Sequence, residues 1–535
     1  MDKTTIKIEN GLIRGTIIHS DEGYDYYAFK GVPYAKPPIG PLRFKDPVDC
    51  ESWSGVRDAT KYGNVCIQFD MMMRKYLGSE DCLYLNVYTK DISSDNLKPV
   101  MVWIHGGAFM YDSGNDMHFG PDYLLRKDII LVTFNYRVGI MGFLCLDDEI
   151  APGNQGLKDQ AMVLKWVKKN IKYFGGDPDN VTIFGESVGA ISAHYHAVSP
   201  MSKGLFHKII LQSCSAFNPG ARINDQKKFA YKICTFLGKY SQDSKQMFDL
   251  LSKTDALRLI QAQEHIRKSI AKFHAMVPFS PSIDNKSKDP FLPIPVEEAA
   301  ANGIDVPAII GYNSREGICC LQDPNNFKAF SKESFSYLDR NFDKTFNPRI
   351  LELLKSYDLK PKDIRELYFN DEKISLDNCH IYADMGGDLQ FVEGIHKAIR
   401  IQVQKKTSPT YLYKFSYDDE ISTSKSILSL EISGAGHFDE IEYLFNGEFR
   451  KLGGFQSLRK GTPGYKVMEN LTNLWSNFAI YGDPTPAFLD QKCIKWKTVD
   501  DTSNFTCMNI NKELKLEIIP NIEEKYRAAS SKIIK

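Results

Sequence analysis

The chain has 535 residues, of which 43% are hydrophobic and 25% are charged. This composition is that of an ordinary globular protein, and it excludes a disordered chain or a fibrous repeat. Lysine plus arginine equals aspartate plus glutamate at 67 each, so no net charge favours nucleic acid or an anionic membrane as a partner.

Apolar runs and cysteines limit the class of protein further. The longest apolar runs, 129–134 and 138–146, are shorter than the ~20 residues of a membrane-spanning helix. Residues 1–7 contain no apolar leader, so we expect a cytoplasmic protein, or a secreted one if a leader is removed before residue 1. Eleven cysteines are too few for a disulfide scaffold and none has metal-binding spacing, so we expect neither a metal nor a cofactor.

Apolar runs separated by glycine-containing loops predict buried strands. A helix is predicted between two of them, over Leu157–Ile171, because apolar residues recur there on one face and lysines lie opposite. This order predicts an α/β fold with a large, mostly parallel sheet covered by helices on both faces. No repeat or linker divides the chain, so 1–535 is expected to be one domain. The predicted strands are Val100–Ile104, Asp128–Phe134, Val181–Phe184, Val306–Ile310 and Tyr411–Phe415.

The most specific motif follows the third of these strands. Gly185-Glu186-Ser187-Val188-Gly189 is a GxSxG sequence between a strand and a helix, which is the setting of a nucleophile elbow. The two glycines permit a tight turn that exposes the serine at a helix N-terminus, where the helix dipole favours developing negative charge. We therefore predict that Ser187 is a nucleophile; the alternative is a surface turn rich in small residues.

A nucleophilic serine needs a histidine base. Among the histidines that follow Ser187, His437 stands in a glycine loop, Ser433–His437, which can present an imidazole to a pocket. His396 instead lies in a helical stretch. The alternative for His437 is a loop histidine hydrogen-bonded to Asp439.

The histidine in turn needs a carboxylate that sets its tautomer. Glu316 follows the strand Val306–Ile310, and active groups in open α/β sheets collect at the carboxyl ends of strands. Glu316 is the best candidate, while Asp384 and Asp388 remain rivals. The alternative is that Glu316 only forms an exposed ion pair with the adjacent Arg315.

A glycine loop after the strand Val100–Ile104 completes the chemistry. His105-Gly106-Gly107-Ala108-Phe109 is almost free of side chains, so its backbone amides can approach the oxyanion of a tetrahedral intermediate. The amide of Val188, which follows the nucleophile, should join them.

Taken together, these motifs resemble the type-B carboxylesterases, the cholinesterase-like group of the α/β-hydrolase fold, and the pattern is most similar to insect alpha-esterases. The resemblance covers nearly the whole chain. Besides the elbow and the oxyanion loop it rests on these segments: Phe29–Ala35, Pro37-Pro38, Leu42–Phe44, Ser79–Val87, Gly153–Gln160, Trp475–Ala479 and Gly482–Pro484.

The resemblance implies roles for particular residues. It implies a triad of Ser187, Glu316 and His437, and it assigns the oxyanion amides to Gly107, Ala108 and Val188. It also implies a single large domain with an active-site gorge, and it marks Cys66 and Cys82 as candidates for the family's first disulfide.

Four departures from the family pattern bear on the substrate. Ala108 and Val188 stand where the family usually has glycine and alanine, which adds methyl groups beside the oxyanion hole. The loop 66–82 contains no tryptophan, so a quaternary ammonium substrate such as acetylcholine is not expected. Gly220 stands where tryptophan often lines the acyl pocket, which predicts an enlarged pocket near Phe217.

We therefore expect a serine carboxylesterase that hydrolyses uncharged, fairly apolar esters through an acyl-enzyme, organophosphates and other xenobiotic esters being possible ligands. Glu186, beside the nucleophile, is expected to tune the site electrostatically rather than act as the triad acid. The alternative function is a cholinesterase-like scavenger or binding protein with poor turnover. Sequence does not predict the oligomeric state.

Overall fold

A computed structural model describes residues 3–93, 95–223, 225–270, 277–418, 422–452, 458–489 and 494–533. The strands are β1 Thr5–Ile8, β2 Gly11–Arg14, β3 Thr16–His19, β4 Asp25–Pro33, β5 Val56–Asp58, β6 Gln68–Asp70, β7 Lys75–Leu77, β8 Tyr84–Thr89, β9 Lys98–Ile104, β10 Ile130–Phe134, β11 Gly176–Glu186, β12 Lys208–Gln212, β13 Ala308–Asn313, β14 Thr410–Phe415, β15 Asn504–Ile510 and β16 Leu514–Pro520.

Helices pack on both faces of the sheet. They are α1 Asp116–Phe119, α2 Gly139–Phe143, α3 Gln155–Asn170, α4 Val188–Val198, α5 Gln226–Phe236, α6 Ser244–Lys253, α7 Ala256–Ile270, α8 Val296–Ala299, α9 Lys332–Asn341, α10 Pro348–Ser356, α11 Pro361–Phe369, α12 Cys379–Gly387, α13 Glu393–Lys405, α14 Thr423–Leu428, α15 Glu448–Leu452, α16 Pro463–Tyr481 and α17 Ile522–Ile533. Short 3₁₀ turns connect several of them, and a π-helical turn, Asp388–Val392, joins α12 to α13.

The central sheet has 11 strands in the order β16-β15-β14-β13-β12-β11-β9-β10-β8-β4-β3. The seven strands from β9 to β15 pair in parallel. At the two edges, β16 pairs antiparallel with β15, and β8, β4 and β3 continue antiparallel from β10. The predicted α/β architecture with a large, mostly parallel sheet is confirmed.

The sheet is buried on both faces because its central strands are apolar on both. In β9, Val100, Val102 and Ile104 pack into one core, and the alternate residues Met101 and Trp103 pack into the other. This alternation follows from the two-residue period of a strand. Helices on both faces cover these cores, so the sheet is a rigid support for the loops at its carboxyl edge.

The five predicted strands and the predicted crossover helix are all present. The strand β11 differs most, since it begins at Gly176 rather than Val181. Gly176 pairs with Lys98, and the register shifts before Val181. The intervening Asp-Pro-Asp-Asn sequence is polar and gave no strand pattern. Backbone pairing with β9 therefore extends the strand beyond its apolar part.

Three parallel strands end on the same side of the sheet. The strand β9 leads into the glycine loop at His105, β11 leads into Ser187, and β13 leads toward Glu316. Because the carboxyl ends of parallel strands meet at one edge, segments more than 200 residues apart in sequence face one another there. No helix within the described ranges is long and apolar enough to cross a membrane.

Candidate active site

Ser187 occupies a strained turn between β11 and α4. Its φ is 57° and its ψ is −126°, a conformation that a side chain rarely adopts. A Cβ at Gly185 would lie 2.6 Å from the carbonyl oxygen of Ile104, and one at Gly189 would lie 2.1 Å from it. Glycine is therefore required on both sides of the serine, as the elbow motif predicts.

His437 lies between the serine and a buried carboxylate. Its Nε2 is 2.9 Å from the Oγ of Ser187, and its Nδ1 is 2.6 Å from the Oε2 of Glu316. The backbone N–H of Asn313 donates to the other oxygen of Glu316, Oε1, at 2.7 Å. The predicted nucleophile is thus within hydrogen-bond distance of the predicted base, and the base is within hydrogen-bond distance of the predicted acid.

The rival acids have other partners. Asp384 accepts a hydrogen bond from Nε of Arg315 at 2.9 Å, and Asp388 accepts one from the hydroxyl of Tyr368 at 2.5 Å. The Asp439 carboxylate accepts from the backbone N–H of Gly436 at 2.7 Å, so it braces the histidine loop.

The glycine loop lies directly against the serine. A Cβ at Gly106 would be 3.4 Å from the Cβ of Ser187. Gly107 and Ala108 have positive φ angles of 88° and 54°, and a Cβ at Gly107 would lie 2.1 Å from the carbonyl oxygen of Tyr111. Gly107 is therefore required for the loop to stay close to Ser187, whereas Ala108 accommodates its methyl group.

One cavity of about 330 Å³ is lined by Ser187 and His437. It is mainly apolar, and its wall includes Phe327, Phe391 and Phe438. The ring of Phe391 packs on the ring of His437 with centroids 4.6 Å apart. The other residues that line the cavity include Met71, Met72, Gly107, Ala108, Glu186, Cys319, Cys320, Gln390, Ile427 and Leu428.

Gly220 lies in a neighbouring cavity of about 260 Å³. The two cavities have Val277 in common. Space beside Gly220 is open, because a Cβ there would meet no atom within 4 Å. Phe217, among the residues described, lines neither cavity and instead packs against His194 and Lys397. Their part in acyl selection remains a prediction.

Comparison with known proteins assigns the chain. Residues 2–533 match the family model described as the carboxylesterase family. The chain belongs to this family. It is 34% identical to a juvenile hormone esterase of Tribolium castaneum over 506 residues, which is 89% of this chain and 83% of that protein. It is 31% identical to esterase B1 of Culex pipiens over 521 residues, or 95% of this chain and 94% of that one.

Solved structures of esterases have the same fold. A juvenile hormone esterase from Manduca sexta, solved with OTFP covalently attached, superposes with a TM-score of 0.85 at 27% identity and covers 99% of both chains. The predicted membership, the α/β-hydrolase fold and the predicted activity are confirmed. The protein is a serine carboxylesterase, a hydrolase of carboxylic esters.

The carboxylesterase site contains a second carboxylate close to the base. Glu186 Oε1 is 3.0 Å from His437 Nε2, and the side chain of Glu186 is 2% exposed. Burial raises the pKa of Glu186 well above its usual value. Burial alone would lower the pKa of His437, but Glu186 and Glu316 outweigh it and hold that pKa well above 6.5.

Sequence reasoning missed the polar layer beneath this carboxylesterase triad. Glu440 is fully buried and accepts hydrogen bonds from the side-chain amides of Gln212, at 3.1 Å, and Asn313, at 2.5 Å. Burial and the nearby Glu316 raise the pKa of Glu440 to about 7. The only available signal was the position of Glu440 three residues after His437, which does not distinguish it from Asp439 or Glu442.

The family disulfide is present. Cys66 and Cys82 are bonded, with their Cα atoms 4.9 Å apart, and they close the loop that carries Met71 and Met72 into the cavity. The bridge predicted from the resemblance is therefore confirmed, and it anchors one wall of the site.

Proposed function

We propose that Ser187, His437 and Glu316 hydrolyse esters through an acyl-enzyme. The observation that carries this proposal is the unbroken chain of contacts from the Ser187 hydroxyl through both nitrogens of His437 to Glu316. With the proton on Nδ1 donated to Glu316, Nε2 is an acceptor for the serine proton. Attack of Oγ on the ester carbon then transfers that proton to Nε2.

The same histidine serves the second half of the reaction. The protonated Nε2 returns its proton to the departing alcohol oxygen, and the acyl group stays on Ser187. A water molecule then attacks the acyl carbon while His437 again accepts a proton. Glu316 stabilises the imidazolium in both steps. Glu186, 3.0 Å from Nε2, adds to this stabilisation when its buried carboxyl is ionised, which the charge of the imidazolium favours.

We assign the oxyanion hole to the amides of Gly107, Ala108 and Val188. Gly107 and Ala108 line the cavity beside Ser187, and Val188 is the first residue of α4, whose N–H groups point out of the helix end. The methyl group of Ala108 narrows the cavity without removing a donor, so catalysis is retained.

The lining of the cavity supports a substrate without charge. Most of the wall surface is apolar, with methionine, phenylalanine, isoleucine and leucine side chains contributing to it, and such a surface binds apolar chains by excluding water. Uncharged, fairly apolar carboxylic esters, and xenobiotic esters including organophosphates, form the substrate class that we propose. Relatives of the chain are named juvenile hormone esterases, so juvenile hormone is one ester to test.

Replacing Ser187 with alanine tests the nucleophile. We expect kcat for p-nitrophenyl butyrate to fall by ~10⁴ to 10⁶, with the melting temperature preserved, because the hydroxyl reacts rather than packs. Stoichiometric labelling by an organophosphate should map to the peptide that contains Ser187. A variant that retains a tenth of the activity would contradict the assignment.

Pre-steady-state kinetics separates an esterase from a scavenger that is acylated once. An esterase releases p-nitrophenol continuously after any burst, whereas a scavenger stops after one equivalent per protein molecule. We expect continuous release, since the cavity open to Ser187 leaves room for the deacylating water.

We propose that residues 1–535 form one domain and that the protein folds in an oxidising compartment. One sheet draws its strands from Thr16 to Pro520, which supports a single domain. The Cys66–Cys82 disulfide does not support the expected cytoplasmic location, and it favours the secreted alternative. Mass spectrometry of the protein without reduction, after alkylation in intact cells, would test the bridge.

A further inference from the structure

Two adjacent cysteines line the cavity that holds Ser187. Cys319 and Cys320 lie on the 3₁₀ turn Glu316–Leu321, which begins at the triad glutamate. The two residues are consecutive on this turn and both line the same cavity, so their thiols belong to one wall of it. The proposed ester chemistry uses neither thiol.

Both thiols are held by neighbouring groups. Cys319 donates to the backbone carbonyl of Glu316, with sulfur and oxygen 3.3 Å apart. The side-chain amide of Gln390 donates to the sulfur of Cys320 at 3.0 Å. Gln390 lies on the π-helical turn, and a Cβ at Gly386 would lie 2.9 Å from the Cys320 sulfur. The pair is therefore preorganised on packed backbone rather than on a loose loop.

The Cys319 thiol is a poor nucleophile in this setting. The neighbouring Cys320 thiol and burial raise the pKa of Cys319 well above its usual value. Little Cys319 thiolate is therefore present at neutral pH, and reagents that require a thiolate should react slowly with it. A reagent that takes up a protonated thiol and releases its proton suits Cys319 better.

We propose that Cys319 and Cys320 form a binding site for trivalent arsenicals of the type R–As=O. Two As–S bonds form and two S–H bonds break, and the oxygen leaves as water with both protons. Arsenic stays trivalent throughout, so no oxidant or reductant is needed. Pyramidal arsenic accepts two sulfurs on one side, which matches adjacent thiols, whereas two-coordinate mercury needs sulfurs on opposite sides.

Occupation of the dithiol should block ester hydrolysis. Both cysteines line the cavity and the backbone of Gly386 lies against Cys320, so we expect the third substituent of arsenic to extend into the cavity. Ser187 and His437 line the same cavity, so a phenyl group there would exclude an ester from the triad. Binding itself does not depend on the proposed function, since it can be measured by mass.

Phenylarsine oxide is the probe. The native protein should gain one phenylarsenic group with loss of two thiol hydrogens, and esterase activity should fall more than tenfold. Trypsin should place the adduct on residues 316–328, which contain no cysteine besides Cys319 and Cys320. 2,3-Dimercaptopropanol should restore activity, while the same thiol concentration of 2-mercaptoethanol should not. Iodoacetamide at neutral pH should leave Cys319 largely unmodified.

Cysteine variants complete the test. Each of Cys319→Ser and Cys320→Ser should keep more than half of its own untreated activity under the arsenical, whereas Cys50→Ser should be inhibited like the unmodified protein. An adduct on another peptide, or equal inhibition of both serine variants, would overturn the site.

If a serine variant does not fold, the peptide map of the unmodified protein decides. An adduct on 316–328 without inhibition would overturn the blocked cavity. Failure of the Ser187 assignment would leave the mass result unchanged.

Discussion

Replacing Glu316 with glutamine should trap His437 in the wrong tautomer. The N–H of Asn313 donates to Oε1 of Glu316 at 2.7 Å, so the glutamine oxygen must take that position. The glutamine NH₂ group then takes the place of Oε2, which in the native protein is 2.6 Å from Nδ1 of His437. Nδ1 must act as an acceptor, and the imidazole proton moves to Nε2, where it prevents acceptance of the Ser187 proton.

The expected loss in kcat is about 10⁴-fold, the size measured for the matching acid-to-amide change in a serine protease, which corresponds to about 5 kcal/mol. Stopped-flow or steady-state hydrolysis of p-nitrophenyl butyrate measures it. Glu440→Gln is the matched control, because this buried carboxylate bonds Gln212 and Asn313. It should lower stability while keeping kcat within about tenfold. A Glu316→Gln variant with more than a tenth of the native kcat would refute the tautomer argument.

Three further predictions concern pH, acyl choice and stability. Because carboxylates hold the pKa of His437 well above 6.5, kcat/KM should be lost as pH falls through a value above 6.5. Glu186→Gln should move this acid limb to lower pH, and no movement would mean that Glu186 is protonated in the free enzyme. Gly220→Trp should fill the neighbouring cavity and lower the kcat/KM ratio of p-nitrophenyl hexanoate to acetate more than about tenfold; an unchanged ratio would confine the acyl chain to the Ser187 cavity. Replacing both Cys66 and Cys82 with serine should lower the free energy of unfolding in urea by about 3 kcal/mol, because the bridge closes a 16-residue separation, and a loss below about 1 kcal/mol would show that packing alone orders the loop.

Local features of the sequence determined the strands, the elbow and the glycine loop. Each depends on residues close together in the chain: apolar runs form the buried strands, and Gly185, Gly189 and Gly107 allow backbone approaches that a Cβ would prevent. Short-range sterics of this kind can be inferred without knowing what lies opposite. Ser187 could therefore be proposed on its motif alone, and the family pattern added the disulfide.

Tertiary structure decided which groups meet. Sequence left Glu316 in competition with Asp384 and Asp388, and the hydrogen bond across 121 residues to His437 distinguishes them. The tertiary structure also places Glu440 beneath the triad. Parallel strands from distant parts of the chain deliver their loops to one edge, and the packing of those loops sets distances that no local pattern encodes. For the same reason Gly220 lies in the second cavity, and two cysteines with no recognisable motif spacing line the first.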